Sequence, residues 1–286
     1  MRPVHQAMTD AAQDSPWAAD HRLRLISFNI QAGTTTANYR DYVTKGWRQV
    51  LPHQQRIQNL DQIARLVADF DIAALQEVDD GSLRTGFLNQ TQFLAERAGF
   101  PFWSHQPNRR VSKLARTCNG VLSRIRPREV HDHKLPGRIP GRGALAVHYG
   151  NGNNALLVVN VHLALGRSSR RVQLDFLHQL TEEHEHVIMV GDLNASGDSP
   201  EVVDFLARSR LRLVSRDLLT FPSWRPQRAI DHVFVSSELR VSRCLALDVP
   251  LSDHLPVAME IELPYPLSQV DVSPARKENH GHDHQK

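Results

Sequence analysis

Val187-Ile188-Met189-Val190-Gly191-Asp192-Leu193-Asn194 is the stretch on which the reading of this chain turns. Four aliphatic residues form a short strand-like run that stops abruptly at polar ones. In extended chain, positions i and i+2 point the same way. Asp192 and Asn194 therefore face one cleft, a carboxylate that can orient or deprotonate water beside an amide that can hold a phosphoryl oxygen. Gly191 lets the backbone approach its neighbour closely. An Asx turn closing the strand is the other reading of the same residues.

The pattern recurs on both sides. Phe28-Asn29, Gln76-Glu77-Val78, Asn160-Val161-His162, Ile230-Asp231-His232 and Ser252-Asp253-His254 each lie at the end of an apolar run. Together the six motifs bring the amides of Asn29 and Asn194, the carboxylates of Glu77, Asp192, Asp231 and Asp253 and the imidazoles of His162 and His254 to strand ends, where α/β sheets place ligands. That set suits one hard cation and one phosphate ester. A buried carboxylate such as Glu77 is costly unless it is paired or metal-bound; an Asn29–Glu77 structural pair is the competing reading. Oxygen donors without cysteine favour Mg²⁺. A carboxylate on an imidazole fixes its tautomer and holds it cationic, a use open to Asp231, Asp253 and His254. His162 offers a second donor. Most of the sixteen histidines have no such setting, and His53, His178 and His184 read as solvated helix positions.

The intervening chain predicts strands at Leu23–Ile30, Ile72–Gln76, Cys118–Ile125, Ala144–Tyr149, Ala155–Val161, Val187–Val190, Ile230–Val235 and Val257–Ile261. Helical spacing of apolar residues predicts helices over Gln54–Phe70, Phe87–Ala98, Ser168–His184 and Pro200–Ala207. Short strands alternate with helices early and hairpins appear mid-chain, so the chain is a layered α/β domain with mixed sheets. One domain over residues 21–266 is expected, with a mobile arm at 1–20 and a polar, histidine-containing tail at 267–286.

With 286 residues, 41% of them apolar, the chain can bury a large core. Lys+Arg of 34 against Asp+Glu of 31 leaves +3, which permits an anionic substrate without requiring nucleic acid. Cys118 and Cys244 form no CxxC pair, which argues against a thiolate zinc site. No apolar run approaches a membrane span and no signal segment is visible, so a cytoplasmic monomer that does not insert into a membrane is expected.

The ordered motifs, over about residues 23–262, resemble the endonuclease/exonuclease/phosphatase superfamily. That superfamily includes DNase I, abasic-site endonucleases, neutral sphingomyelinases, inositol polyphosphate 5-phosphatases and deadenylases. The resemblance implies a four-layer α/β sandwich, two packed mixed β-sheets flanked by helices. It implies a Mg²⁺-dependent hydrolase of phosphoester bonds, with Mn²⁺ as a substitute ion. Glu77 would be the principal metal ligand, with Asn29 and Asp253 close by. Asp192 would orient or deprotonate water, and Asn194 and His162 would hold phosphate oxygens. His254, supported by Asp231, would stabilise the transition state. In-line attack of water follows, with the metal and two cationic imidazoles offsetting charge. A phosphodiesterase or nuclease leads. A phospholipid- or small-molecule-directed enzyme of the same fold is the alternative, and an inactive binding module the remote one.

Substrate choice is read from four places. The loop Thr34–Arg48 interleaves Tyr39, Arg40, Tyr42, Trp47 and Arg48, as a stacking or phosphate-gripping surface does; Trp47 anchoring the loop to the core is the alternative. Arg170, in Arg167-Ser168-Ser169-Arg170-Arg171, stands at a helix start, either meeting a second phosphate or simply solvated. In Thr220-Phe221-Pro222-Ser223-Trp224-Arg225 a large aromatic, Trp224 or Phe221, lines the sugar or base pocket or packs. Asn119 matches a cleft-lining position in some relatives.

Overall fold

Along the first strand the inward-facing residues are Leu23, Leu25, Ser27 and Asn29, apolar at one end and polar at the other, and the whole molecule repeats this gradient. The computed structural model describes residues 21–33, 53–81, 88–110, 116–137, 142–152, 155–265 and 267. Among these described residues, twelve strands form two six-stranded mixed sheets. The first sheet holds β1 (Arg22–Asn29), β2 (Ile72–Asp79), β3 (Phe102–Arg110), β4 (Arg116–Ser123), β11 (Arg240–Ala246) and β12 (Val257–Glu262), in the order β11-β12-β1-β2-β4-β3. The second holds β5 (Glu129–Lys134), β6 (Gly143–Tyr149), β7 (Leu156–His162), β8 (His186–Asp192), β9 (Leu211–Leu213) and β10 (Asp231–Ser236), in the order β5-β6-β7-β8-β10-β9. Each sheet has one parallel pair at its centre, β1 with β2 and β7 with β8.

Three apolar layers hold the four together. Between the sheets lie Leu25, Ile72, Val121, Val158, Val190, Val233 and Met259. Helices α1 (His53–Val67) and α2 (Gln90–Ala98) cover the first sheet through Leu60, Ile63, Val67 and Leu94 against Phe28 and Leu75. Helices α3 (Arg167–Thr181) and α4 (Pro200–Arg208) cover the second through Leu174, Leu177, Val202 and Phe205. The architecture is thus a four-layer α/β sandwich. Cap chemistry sets the helix limits: the Asn89 side chain accepts from the Gln92 amide at 3.0 Å, and Gly99, at φ 69°, ends α2 in the left-handed region.

Four strands escape the period-2 reading: β3, β5, β9 and β11. Each is the outermost strand of its sheet or the short last one. The β5 sequence EVHDHK is almost wholly exposed, so it has no buried face to write an alternation. Backbone pairing to β6 alone defines it. No helix among the described residues is long and apolar enough to cross a membrane.

Candidate active site

The polar ends of the inner faces meet at one end of the sandwich. Register pairs Asn29 with Gln76, His162 with Asp192, and Asp192 with Asp231. Asn160 joins the two sheets directly beneath. Its amide donates to the carbonyls of Leu75 and Gly120, each at 2.9 Å, and its oxygen accepts from Gln76 at 2.7 Å.

Two backbone departures aim the site. The pairing of β2 with β4 slips between Leu75 and Val78, a bulge that inserts one extra residue. Within it Glu77 has φ 55°. Its carboxylate thereby comes within 3.9 Å of His162 Nε2 instead of pointing at the helices. Asn194, at φ 52°, leaves β8 by a similar turn. Gly191, at φ 140°, sits so tightly against β7 that a Cβ there would lie 1.9 Å from the Val161 carbonyl oxygen.

Asp192 is the hub. Its Oδ2 accepts from the Asn29 amide at 3.1 Å, and its Oδ1 from the backbone N–H of Asn194 at 2.8 Å. His162 Nε2 lies 3.4 Å and His254 Nε2 3.8 Å from Oδ2. Asn194 is secured by its amide, which donates to the Leu163 carbonyl at 3.0 Å. His254 Nδ1 bonds Asp231 Oδ2 at 2.8 Å, and the Thr220 hydroxyl donates to the same oxygen. Gln31 donates to Asp253 Oδ2 at 3.0 Å.

The two histidines differ in charge. Burial alone would strip the proton from His254, but the adjoining carboxylates of Asp231, Asp192 and Asp253 overcome it and lift its pKa to about 10. His162 goes the other way: burial, then the Arg142 and His254 charges, hold it well below the ordinary histidine range. Its Nε2 faces the Arg142 guanidinium. The expectation of two cationic imidazoles is therefore corrected to one. The second cation of the site is Arg142, poised near Glu77 and Asp192. No motif announced it: Pro136-Gly137-Arg138-Ile139-Pro140-Gly141 precede Arg142 in sequence, with no apolar run before it. Thr220 and Gln31 were equally silent in the sequence.

The acids carry mutual strain. Burial raises the Asp192 carboxyl to about 7, with Asp231 and Glu77 adding to the rise against the pull of His254. Burial also raises Asp253, and Glu77 again adds to it. Asp192, Asp231 and His254 bring ligand atoms within 4.8 Å of one another. In that trio an ion would have to displace the His254 proton, which the neighbouring carboxylates hold firmly. The oxygen set of Glu77, Asp253 and Asn29 fits a hard divalent ion better, since its like charges gain from a cation between them.

The residues expected to choose substrate have different fates. Asn119 is completely buried between the sheets and donates to the Gly143 carbonyl at 2.9 Å, so it braces the site from below. Arg170 is buried and grips Glu201 of α4 at 2.7 Å, and it also donates to the carbonyls of Ala164 and Leu165. That engagement, which ties α3 to α4, replaces the expected phosphate contact. Trp224 is half-buried in a turn held by Ser223, which bonds the carbonyls of Ser252 and Asp253. The ring against the site is that of Phe221, 4.9 Å from His254. Trp47 and the Thr34–Arg48 loop lie outside the described residues, as do residues 1–20 and 268–286. His53 likewise has no described side-chain environment. His178 and His184 are half-buried, not solvated.

The family model described as "Endonuclease/Exonuclease/phosphatase family" matches residues 26–254. No curated protein matches the sequence. Among solved structures, an endonuclease/exonuclease/phosphatase from Beutenbergia cavernae DSM 12333 is 19% identical, over 85% of this chain and 72% of that one, with a TM-score of 0.65. A mannosyl-6-phosphatase from Bacteroides thetaiotaomicron VPI-5482 is 20% identical, over 84% of this chain and 99% of that one, with a TM-score of 0.61. TDP2 of D. rerio, complexed with single strand DNA product, is 16% identical, over 84% and 98%, with a TM-score of 0.63.

Proposed function

Because the chain belongs to the endonuclease/exonuclease/phosphatase family, whose members are phosphoester hydrolases, we propose that it is a Mg²⁺-dependent phosphodiesterase that acts by in-line attack of water on phosphorus. The observation that carries this reading is the opposition of one buried carboxylate, Asp192, to one buried imidazolium, His254, each held by its own partners and 3.8 Å apart. A buried carboxylate whose raised proton affinity suits it to take a proton from water, beside an imidazolium that brings positive charge to the same pocket, matches what attack of water on a phosphoester needs.

Asp192 orients the attacking water and takes its proton as the new P–O bond forms. Asn29 and the Asn194 amide hold Asp192 in place for that task. His254, its ring held by Asp231 and Thr220, donates a hydrogen bond to a phosphoryl oxygen where charge grows, and the departing oxygen takes its proton from solvent water as the old P–O bond breaks. Arg142 and the second N–H of the Asn194 side chain meet the non-bridging oxygens, where charge grows in the transition state. His162 acts as a neutral ring that positions Arg142. Glu77, with Asn29 and Asp253, would hold Mg²⁺, or Mn²⁺ in its place, and the ion supplies Lewis-acid stabilisation of the phosphoryl oxygens.

The test is hydrolysis of bis(p-nitrophenyl) phosphate and nicking of supercoiled plasmid, with Mg²⁺ and with EDTA, beside Asp192→Ala. Activity that needs the ion and vanishes in the variant is the expected result. An active Asp192→Ala protein would sink the assignment. A small-molecule phosphatase is the second reading, motivated by the mannosyl-6-phosphatase neighbour; preferential cleavage of p-nitrophenyl phosphate would select it.

A further inference from the structure

The second sheet carries a group of histidines at the end away from the site. His131 and His133 lie on β5, His148 on β6, and His184 just before β8. Gly143 of β6 pairs with His162 at the site, whereas His148 pairs with Leu157 and Glu129 near the far end. Three of these rings form a row: His131 and His148 have centroids 5.2 Å apart, and His148 and His184 are 5.4 Å apart. Two imidazoles sharing one tetrahedral ion hold their ring centroids about 5 Å apart, given metal–nitrogen distances of about 2.0–2.1 Å. A carboxylate belongs to the group as well, with Glu129 Oε2 3.1 Å from His131 Nε2. His184 Nδ1 is buried without a hydrogen-bond partner. His133 stands apart, 6.1 Å from His131 and in contact with Phe176 of α3.

We infer that His131, His148 and His184, with Glu129 beside them, form a binding site for one borderline divalent transition ion of the zinc, nickel or copper type. Imidazole donors select such ions, whereas the oxygen donors of the active site suit Mg²⁺. His148 is the central ligand because both spacings run through it. Convergence on one ion requires the exposed His131 to turn from Glu129 toward His148, a rotation that an edge strand leaves open.

The test is titration of the full-length protein with Ni²⁺ by calorimetry, in saturating Mg²⁺. The substitutions His280→Gln, His282→Gln and His284→Gln form the background, so that the tail histidines do not contribute. One ion per chain is expected. Adding His148→Gln or His184→Gln should weaken it at least tenfold, at unchanged Mg²⁺-dependent hydrolysis, while His133→Gln should leave it unchanged. Absence of binding in the background, or equal binding in the His148→Gln and His184→Gln proteins, would overturn the inference. If His148→Gln fails to fold, His131→Gln, on the exposed edge, decides in its place.

Discussion

Replacing Asp192 by Asn should make the protein more stable while abolishing its activity. Burial raises the Asp192 carboxyl from an ordinary 3.8 to about 7. The unfolded chain therefore ionises this group near pH 4 and the folded chain only near pH 7, so its contribution to stability falls as pH rises through that window. At about 1.4 kcal/mol per pH unit, the cost above pH 7 is about 4 kcal/mol. Asn avoids it but keeps a single acceptor, losing one of the bonds from Asn29 and the Asn194 amide, worth about 1–2 kcal/mol. A net gain of about 2–3 kcal/mol remains. Urea unfolding in EDTA should show the variant ahead at pH 8 and level with the parent or behind it at pH 4. Hydrolysis should fall by at least about 10³-fold, because the base is lost. A variant no more stable than the parent at pH 8, or a difference that does not change with pH, would refute the reasoning. Saturating Mg²⁺ should shrink the gain, since a cation beside Asp192 relieves its cost.

Four further outcomes are expected. Activity should fall on the alkaline side as His254 loses its proton near pH 10, and Asp231→Asn should move that limb toward neutrality, as pH–rate profiles would show. The stabilisation His254 contributes is fully present below about pH 6.5 and is lost as pH rises through about 10. Gly191→Ala should cost more than about 3 kcal/mol or give insoluble protein, because its Cβ would meet the Val161 carbonyl at 1.9 Å; a melting temperature near the parent's would contradict that. Arg142→Ala should lower kcat by about 10²-fold. It should also raise the His162 pKa, a change visible by NMR, because a positive charge beside the ring is removed.

The layered fold was legible wherever a strand had a buried face. The runs at Leu23–Ile30 and Val187–Val190 reappear as β1 and β8, because each strand packs on both sides. The edge strands β3, β5 and β11 were not legible, since their pairing is a backbone property that side chains there need not encode. The same division holds at the site. Asn29, Glu77, His162, Asp192 and Asp231 stand at or near strand ends, whereas Asp253 and His254, expected at a strand end too, lie in the loop between β11 and β12; the fold nonetheless brings His254 beside Asp192 and Asp231. Arg142 and Thr220 come from loops, and only the tertiary fold brings them in. Arg170 shows the converse: a basic residue at a helix start looks like an anion site, yet its partner Glu201 lies 31 residues away, and nothing local reveals it.

Where the protein tolerates strain follows from the same gradient along the inner faces. Among the described residues, the non-glycine positions with positive φ are Gln31, Ala32, Glu77 and Asn194. All four lie at or just past the polar end of a central strand, Glu77 in the bulge of β2. Such conformations cost on the order of 1–3 kcal/mol each and persist only where the surroundings over-determine them. Here the surroundings are the apolar ends of the same strands, where Leu25, Ile72, Val158 and Val190 are fully buried. One end of each inner face is thus packed for cohesion, and the other holds unfavourable backbone and crowded carboxylates in a fixed geometry. Relaxing Glu77 by Glu77→Gly would remove the strain and the carboxylate together. Glu77→Asn instead keeps a residue type tolerant of positive φ while deleting the charge. If Glu77→Asn melts no lower than the parent yet loses its response to Mg²⁺, the loss belongs to the carboxylate and not to the turn.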